Sequence, residues 1–141
     1  WAINGFVRAD KTHVWSCHPM EHELSAFYDI THGLGLAIVA PRWMSYCLDE
    51  TNAEKYKTFA VEVFGVNKSL SAMDAAKAGI KALEDFLYTK LGLTSTLSAL
   101  KIDTTYFKAM AQKACDGCGG KIQGLKTLTP KDVEAIYTMC L

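Results

Sequence analysis

The chain reads as an all-α helical bundle, and three features predict it. Apolar residues recur at three- and four-residue spacing through most of the chain. Glycine and proline fall where such stretches would start or stop, and alternating strand-like patterns are almost absent. Half of the 141 residues are hydrophobic and 21% are charged, enough apolar material for one folded domain over 1–141 and too little polarity for disorder.

The elements follow in order. WAINGF, from Trp1, predicts the tail of a helix ending at the polar turn Ala9–Thr12, with His13 as a solvated loop residue. A second helix is expected from Ser16 as its cap, with Pro19 in the first turn and Met20, Leu24 and Phe27 on one face. It should stop around Asp29–Thr31. Gly33 and Gly35 are expected to form the next turn, the flexible backbone there orienting His32, before a helix kinked at Pro41. Lys55–Phe64 is amphipathic through Tyr56, Phe59, Ala60 and Val63, and ends at Gly65. Ser71–Leu91 follows, with Ala72, Ala75, Ala76, Gly79, Ile80, Leu83, Phe86, Leu87 and Leu91 facing inward and Gly92 as its stop. A short helix near Leu97–Leu100 precedes one capped by Asp103 and carrying Tyr106, Phe107, Met110 and Ala114. Gly117, Gly119 and Gly120 interrupt the chain. Thr129–Pro130–Lys131–Asp132 has the cap, first-position proline and early acid that open a last helix.

Composition excludes several function classes. Fifteen Lys and Arg balance fifteen Asp and Glu, so no basic stripe for nucleic acid is expected. No apolar run reaches the roughly 20 residues of a membrane span, and no leader segment is recognised. Five scattered cysteines, an odd number, fit free thiols in a reducing cytoplasm better than a disulfide framework. Cys115–Asp116–Gly117–Cys118 has C-x-x-C spacing but no second pair, and is read as an inert loop.

One segment carries chemistry: WSCHPMEHELSAFYDITHG. It holds His18, His22 and His32, three of the four histidines in the chain. His18 and His22 are four apart and share a helix face; a turn after Asp29 can return His32 to the same point. Clustered imidazoles suit zinc or ferrous iron. HPMEH also matches the H-x-x-E-H pattern of some zinc peptidases, with Glu21 as general base and His32, Glu84 or Asp85 as a further ligand. A helical interaction domain with incidental histidines is the third reading. Phe27, Tyr28, Trp43 and Tyr46 are expected in the core or the wall of a cleft beside the histidines.

The block HPMEHELSAFYDITHGLGLAIVAPRWMSY resembles the metal-binding segment of the iron-containing alcohol dehydrogenases, in their NADPH-dependent, butanol dehydrogenase-like branch. LGLTSTLSALKI, YFKAMAQKAC and LTPKDVEAIY follow the C-terminal order of that family, so the resemblance covers essentially the whole chain. It implies that His18 and His32 are two of four metal ligands, the others being an aspartate and a histidine with no counterpart here. It implies that His22 lies beside the metal and the nicotinamide, assisting proton movement. It implies Fe2+ (or Zn2+) and NADP(H) as cofactors, a small alcohol or aldehyde as substrate, and a separate N-terminal dinucleotide-binding domain. A homodimer is among the assemblies open to it. Together with the opening at Trp1, this predicts a piece of a longer enzyme, inactive alone.

Overall fold

The computed structural model describes residues 14–141; the expected helix tail at 1–8, its closing turn and His13 lie outside the described residues. Helix α1 spans His18–Tyr28, α2 His32–Cys47, α3 Ala53–Phe64 and α4 Ala72–Glu84. A π-helical segment, Asp85–Lys90, and a 3-10 turn, Ser98–Leu100, lead to α5, Phe107–Asp116, and α6, Pro130–Met139. Among the described residues the only sheet-like pairing is the isolated antiparallel bridge Ile122–Leu128. No helix among them is long and apolar enough to cross a membrane.

Helix ends were set by local chemistry in some places and by distant contacts in others. Gly65, at φ 67°, closes α3, and the Ser71 side chain accepts the Asp74 N–H to open α4. Ser16 does not cap α1. Its hydroxyl donates instead to Gln123 O at 2.7 Å, and Cys17 occupies the cap position without a side-chain bond. Asp103 likewise accepts the Thr105 N–H rather than capping α5, whose first helical residue is Phe107. Gly33 and Gly35 are not in a turn but inside α2, which starts at His32. Val63, Phe86 and Leu91, expected inward, are 61%, 45% and 54% exposed.

Pro41 sits inside α2 without ending it. Having no N–H, it leaves the Ala37 carbonyl, four residues back, without its helical donor. The Tyr88 hydroxyl, carried by the π-helical segment, donates to Ala37 O at 2.8 Å, and Arg42 donates to Tyr88. Burial, only partly opposed by Arg42, raises the Tyr88 pKa to about 12, so the hydroxyl keeps its proton. Tyr88→Phe is expected to leave that carbonyl unpaired and cost about 1–3 kcal/mol in a denaturant titration; an unchanged midpoint would refute this.

The main core joins α1, α2, α5 and α6 through Met20, Leu24, Ile38, Phe107, Met110 and Tyr137, all essentially inaccessible. The Tyr137 hydroxyl donates to Met20 O at 2.7 Å, tying α6 to α1. A smaller cluster, Tyr56, Ala76 and Ile80, joins α3 and α4. There Gly79 permits close approach, since a Cβ at that position would lie 3.0 Å from Ala60 Cα.

Helix α6 opens with a reciprocal cap. Asp132 N–H donates to Thr129 Oγ1 at 3.4 Å, and Thr129 N–H to Asp132 Oδ2 at 2.8 Å. Tyr46 donates to the other carboxylate oxygen at 2.5 Å. Burial pushes the Asp132 pKa up, but hydrogen bonds from Thr129 and Tyr46 and the charge of Lys126 outweigh it and hold the carboxyl below its ordinary value. A folded-state pKa below the unfolded one stabilises the protein above the unfolded value of about 3.9 and loses that contribution as pH falls through the folded value. Asp132→Asn should therefore cost about 0.5–2 kcal/mol near neutrality. Its stability deficit relative to wild type should shrink in acid below about pH 4, as thermal melts across pH would record.

Candidate functional site

Two helix starts meet at the site. His18 and His32 are the first residues of α1 and α2, and His22 stands one turn into α1. Cys17 precedes Pro19 at the helix start, where a missing N–H costs nothing. Asp29, left-handed at φ 52°, donates its N–H to Ser25 O at 2.9 Å and turns the chain back, so that α2 begins beside α1.

That return brings all three rings together. Ring centroids of His18 and His32 are 5.2 Å apart, those of His22 and His32 5.5 Å, and those of His18 and His22 6.0 Å. Two imidazoles sharing one ion through bonds of ~2.1 Å at a tetrahedral angle place their centroids roughly 5.2 Å apart. The donor chemistry and the spacing fit a divalent transition metal. The rings line an open concavity of about 560 Å³ with Pro19 and Trp15, whose indole meets His18 edge-on at 4.3 Å.

Electrostatics favour lone pairs here. Burial, then the imidazoles of His32 and His22, hold the His18 pKa below its ordinary 6.5, with Glu21 pulling the other way. His18 is therefore neutral at pH 7 and has a ring nitrogen able to donate to a metal.

Glu21 is the residue whose role the sequence did not reveal. It is fully buried, and its Oε2 is in hydrogen-bond contact with His32 Nδ1. The Ser25 hydroxyl lies 2.5 Å from Oε1 and 3.0 Å from Ile30 O. Ligand atoms of Glu21, His22 and His32 lie within 4.8 Å of one another, but Glu21 enters that group through its bond to His32 rather than by facing the concavity. A buried carboxylate engaged this way is poorly disposed to act as the general base of a hydrolase, which must reach a water in the cleft. The one signal in the sequence was the i, i+4 pair Glu21–Ser25; the contact to His32 needs the fold.

Other candidates lie elsewhere. Glu84 pairs with Arg42 at 3.5 Å, and Asp85 is exposed in the π-helical segment; neither joins the histidine group. Phe27, Tyr28, Trp43 and Tyr46 pack against the main core, and none of them lines the histidine concavity, where Trp15 takes the aromatic part. Cys115 is buried and Cys118 exposed, both as free thiols, and burial raises the Cys115 pKa.

The family profile described as "Fe-containing alcohol dehydrogenase family, C-terminal" matches residues 5–141. NADH-dependent butanol dehydrogenase A of Clostridium acetobutylicum is 40% identical over 136 residues, which cover 96% of this chain and 35% of that protein. Probable NADH-dependent butanol dehydrogenase 1 of Bacillus subtilis is 35% identical over 141 residues, covering 99% of this chain and 35% of the relative. The crystal structure of NADH-dependent butanol dehydrogenase A from Thermotoga maritima matches with a TM-score of 0.86 at 29% identity, over 99% of this chain and 36% of that one. The chain thus spans about 35% of the length of these curated relatives.

Proposed function

The chain belongs to the iron-containing alcohol dehydrogenase family, as its C-terminal part, and from that premise we propose that it is the metal-binding half of an oxidoreductase interconverting small alcohols and aldehydes by hydride transfer. The observation that carries this reading is the convergence of three imidazoles on one open concavity.

In this reading His18 and His32 hold the metal, Fe2+ or Zn2+, each giving one neutral nitrogen. The aspartate and third histidine that complete the set, and the dinucleotide site, belong to the part of the enzyme that this chain does not span. When bound, the metal supplies a Lewis acid that polarises the oxygen of an alcohol or aldehyde. His22, an exposed ring at the concavity, relays the proton between the reacting oxygen and solvent, beside the nicotinamide. Trp15 and Pro19 form an apolar wall that limits water at the reacting carbon. The relatives named above are described as NADH-dependent, which supports NAD(H) over the NADP(H) expected from the sequence. Cys47, Cys115 and Cys140, packed as core residues, support a cytoplasmic location.

The test is NADH-linked reduction of butyraldehyde, followed by nicotinamide absorbance. The full-length protein should turn over, and the 141-residue chain alone should not. His22→Ala in the full-length protein should retain metal while losing roughly 10²- to 10⁴-fold in turnover. Turnover by the short chain, or an unaffected His22→Ala enzyme, would overturn the reading.

A further inference from the structure

Beyond assigning ligands, we propose that Glu21 is a positioning residue: its buried carboxylate accepts a hydrogen bond from the Nδ1–H of His32, which keeps the proton on Nδ1 and leaves Nε2 as the nitrogen offered to the metal. This rests on the preceding metal-site reading and adds to it which atom of His32 coordinates, and what selects that atom.

An ionised carboxylate can only accept, so a neutral His32 bonded to it through Nδ1 must carry its proton there. The lone pair is then confined to Nε2. A ligating histidine needs such a partner, because an imidazole free to change tautomer or rotate offers its lone pair only part of the time. Glu21 is well held for the task. Its carboxylate has no solvent exposure, and the Ser25 hydroxyl reaches Oε1 at 2.5 Å.

The room for it comes from the opposite helix. A Cβ at Gly35 would lie 2.7 Å from Glu21 Cγ, 2.7 Å from Oε1 and 3.1 Å from Cδ. Glycine at this point of α2 therefore makes the seat of the carboxylate rather than a turn. Glu21 on α1, Gly35 one turn after His32 on α2, and Ser25 form one device at the crossing of the two helices.

The test uses the full-length protein labelled with 15N-histidine, and Co2+ as the metal probe. In the metal-free wild type, the His32 signals should report a proton on Nδ1. Glu21→Gln, nearly identical in shape, should mix or invert the tautomer, weaken Co2+ binding about 10- to 100-fold and shift the visible Co2+ spectrum. Should Glu21→Gln fold poorly, Ser25→Ala, which loosens the carboxylate without removing it, should give a smaller change in the same direction. A His32 proton on Nε2 in the wild type, or unchanged tautomer and Co2+ affinity in the variants, would overturn the proposal. Failure of the underlying reading looks different: His18→Ala would leave Co2+ binding intact, while the metal-free tautomer would still decide the Glu21–His32 pairing.

Discussion

Alanine in place of either His18 or His32 in the full-length protein is expected to weaken Fe2+ or Zn2+ binding about 10²- to 10³-fold, with activity falling in step. Four-ligand zinc sites bind with roughly 10–16 kcal/mol, so one ligand carries about 2.5–4 kcal/mol, at about 1.4 kcal/mol per tenfold change. The two substitutions should have similar effects, because the rings are the closest pair of the three, at 5.2 Å between centroids. His18→Ala should disturb the fold little, since His18 is only half-buried, whereas His32→Ala also takes the Nδ1 partner from the buried Glu21 carboxylate and should lower stability as well. Metal content by mass spectrometry after dialysis, with circular dichroism as the control for folding, checks it. Unchanged metal in both variants would favour a helical interaction domain with incidental histidines.

Phe107→Ala should be strongly damaging to the core, costing about 3–5 kcal/mol. The ring is 1% exposed at the start of α5 and lies 5.4 Å from the Tyr137 ring at 39°. Tyr137 in turn holds α1 through Met20 O. Removing the ring empties the place where three helices meet, and small neighbours such as Ala111 and Ala114 have no side chain long enough to refill it. Against a total stability of about 5–15 kcal/mol, that loss is a large fraction. A denaturant midpoint giving less than about 1 kcal/mol would show that the site collapses freely.

How much of this was legible in the sequence depends on where each determinant lies. The start of α6 was fully readable because Thr129, Pro130 and Asp132 act on one another within four residues. The stops at Gly65 and Gly92 were readable for the same reason: both have positive φ, which glycine adopts without strain. Ser16 misled because its partner is 107 residues away. Gly33 and Gly35 misled because glycine signals either a turn or a close approach, and only the crossing of α1 with α2 shows that Gly35 makes room for Glu21. The histidine cluster was visible in its four- and fourteen-residue spacing, whereas the wall beside it was not. Aromatic composition pointed to Phe27, Tyr28, Trp43 and Tyr46, yet Trp15 stands there. Phe86 and Leu91 followed the helical period but fell outside the core, because the π-helical turn at Asp85–Lys90 changes the register of the face.

The phenol of Tyr88 stands in for an amide that Pro41 lacks, so the two positions form one interchangeable pair. With alanine at 41, the main chain regains its own donor and the hydroxyl at 88 becomes dispensable; with proline at 41, it does not. Substitutions at these sites should accordingly be non-additive, each tolerable or harmful according to what occupies the other, although 47 residues of chain separate them.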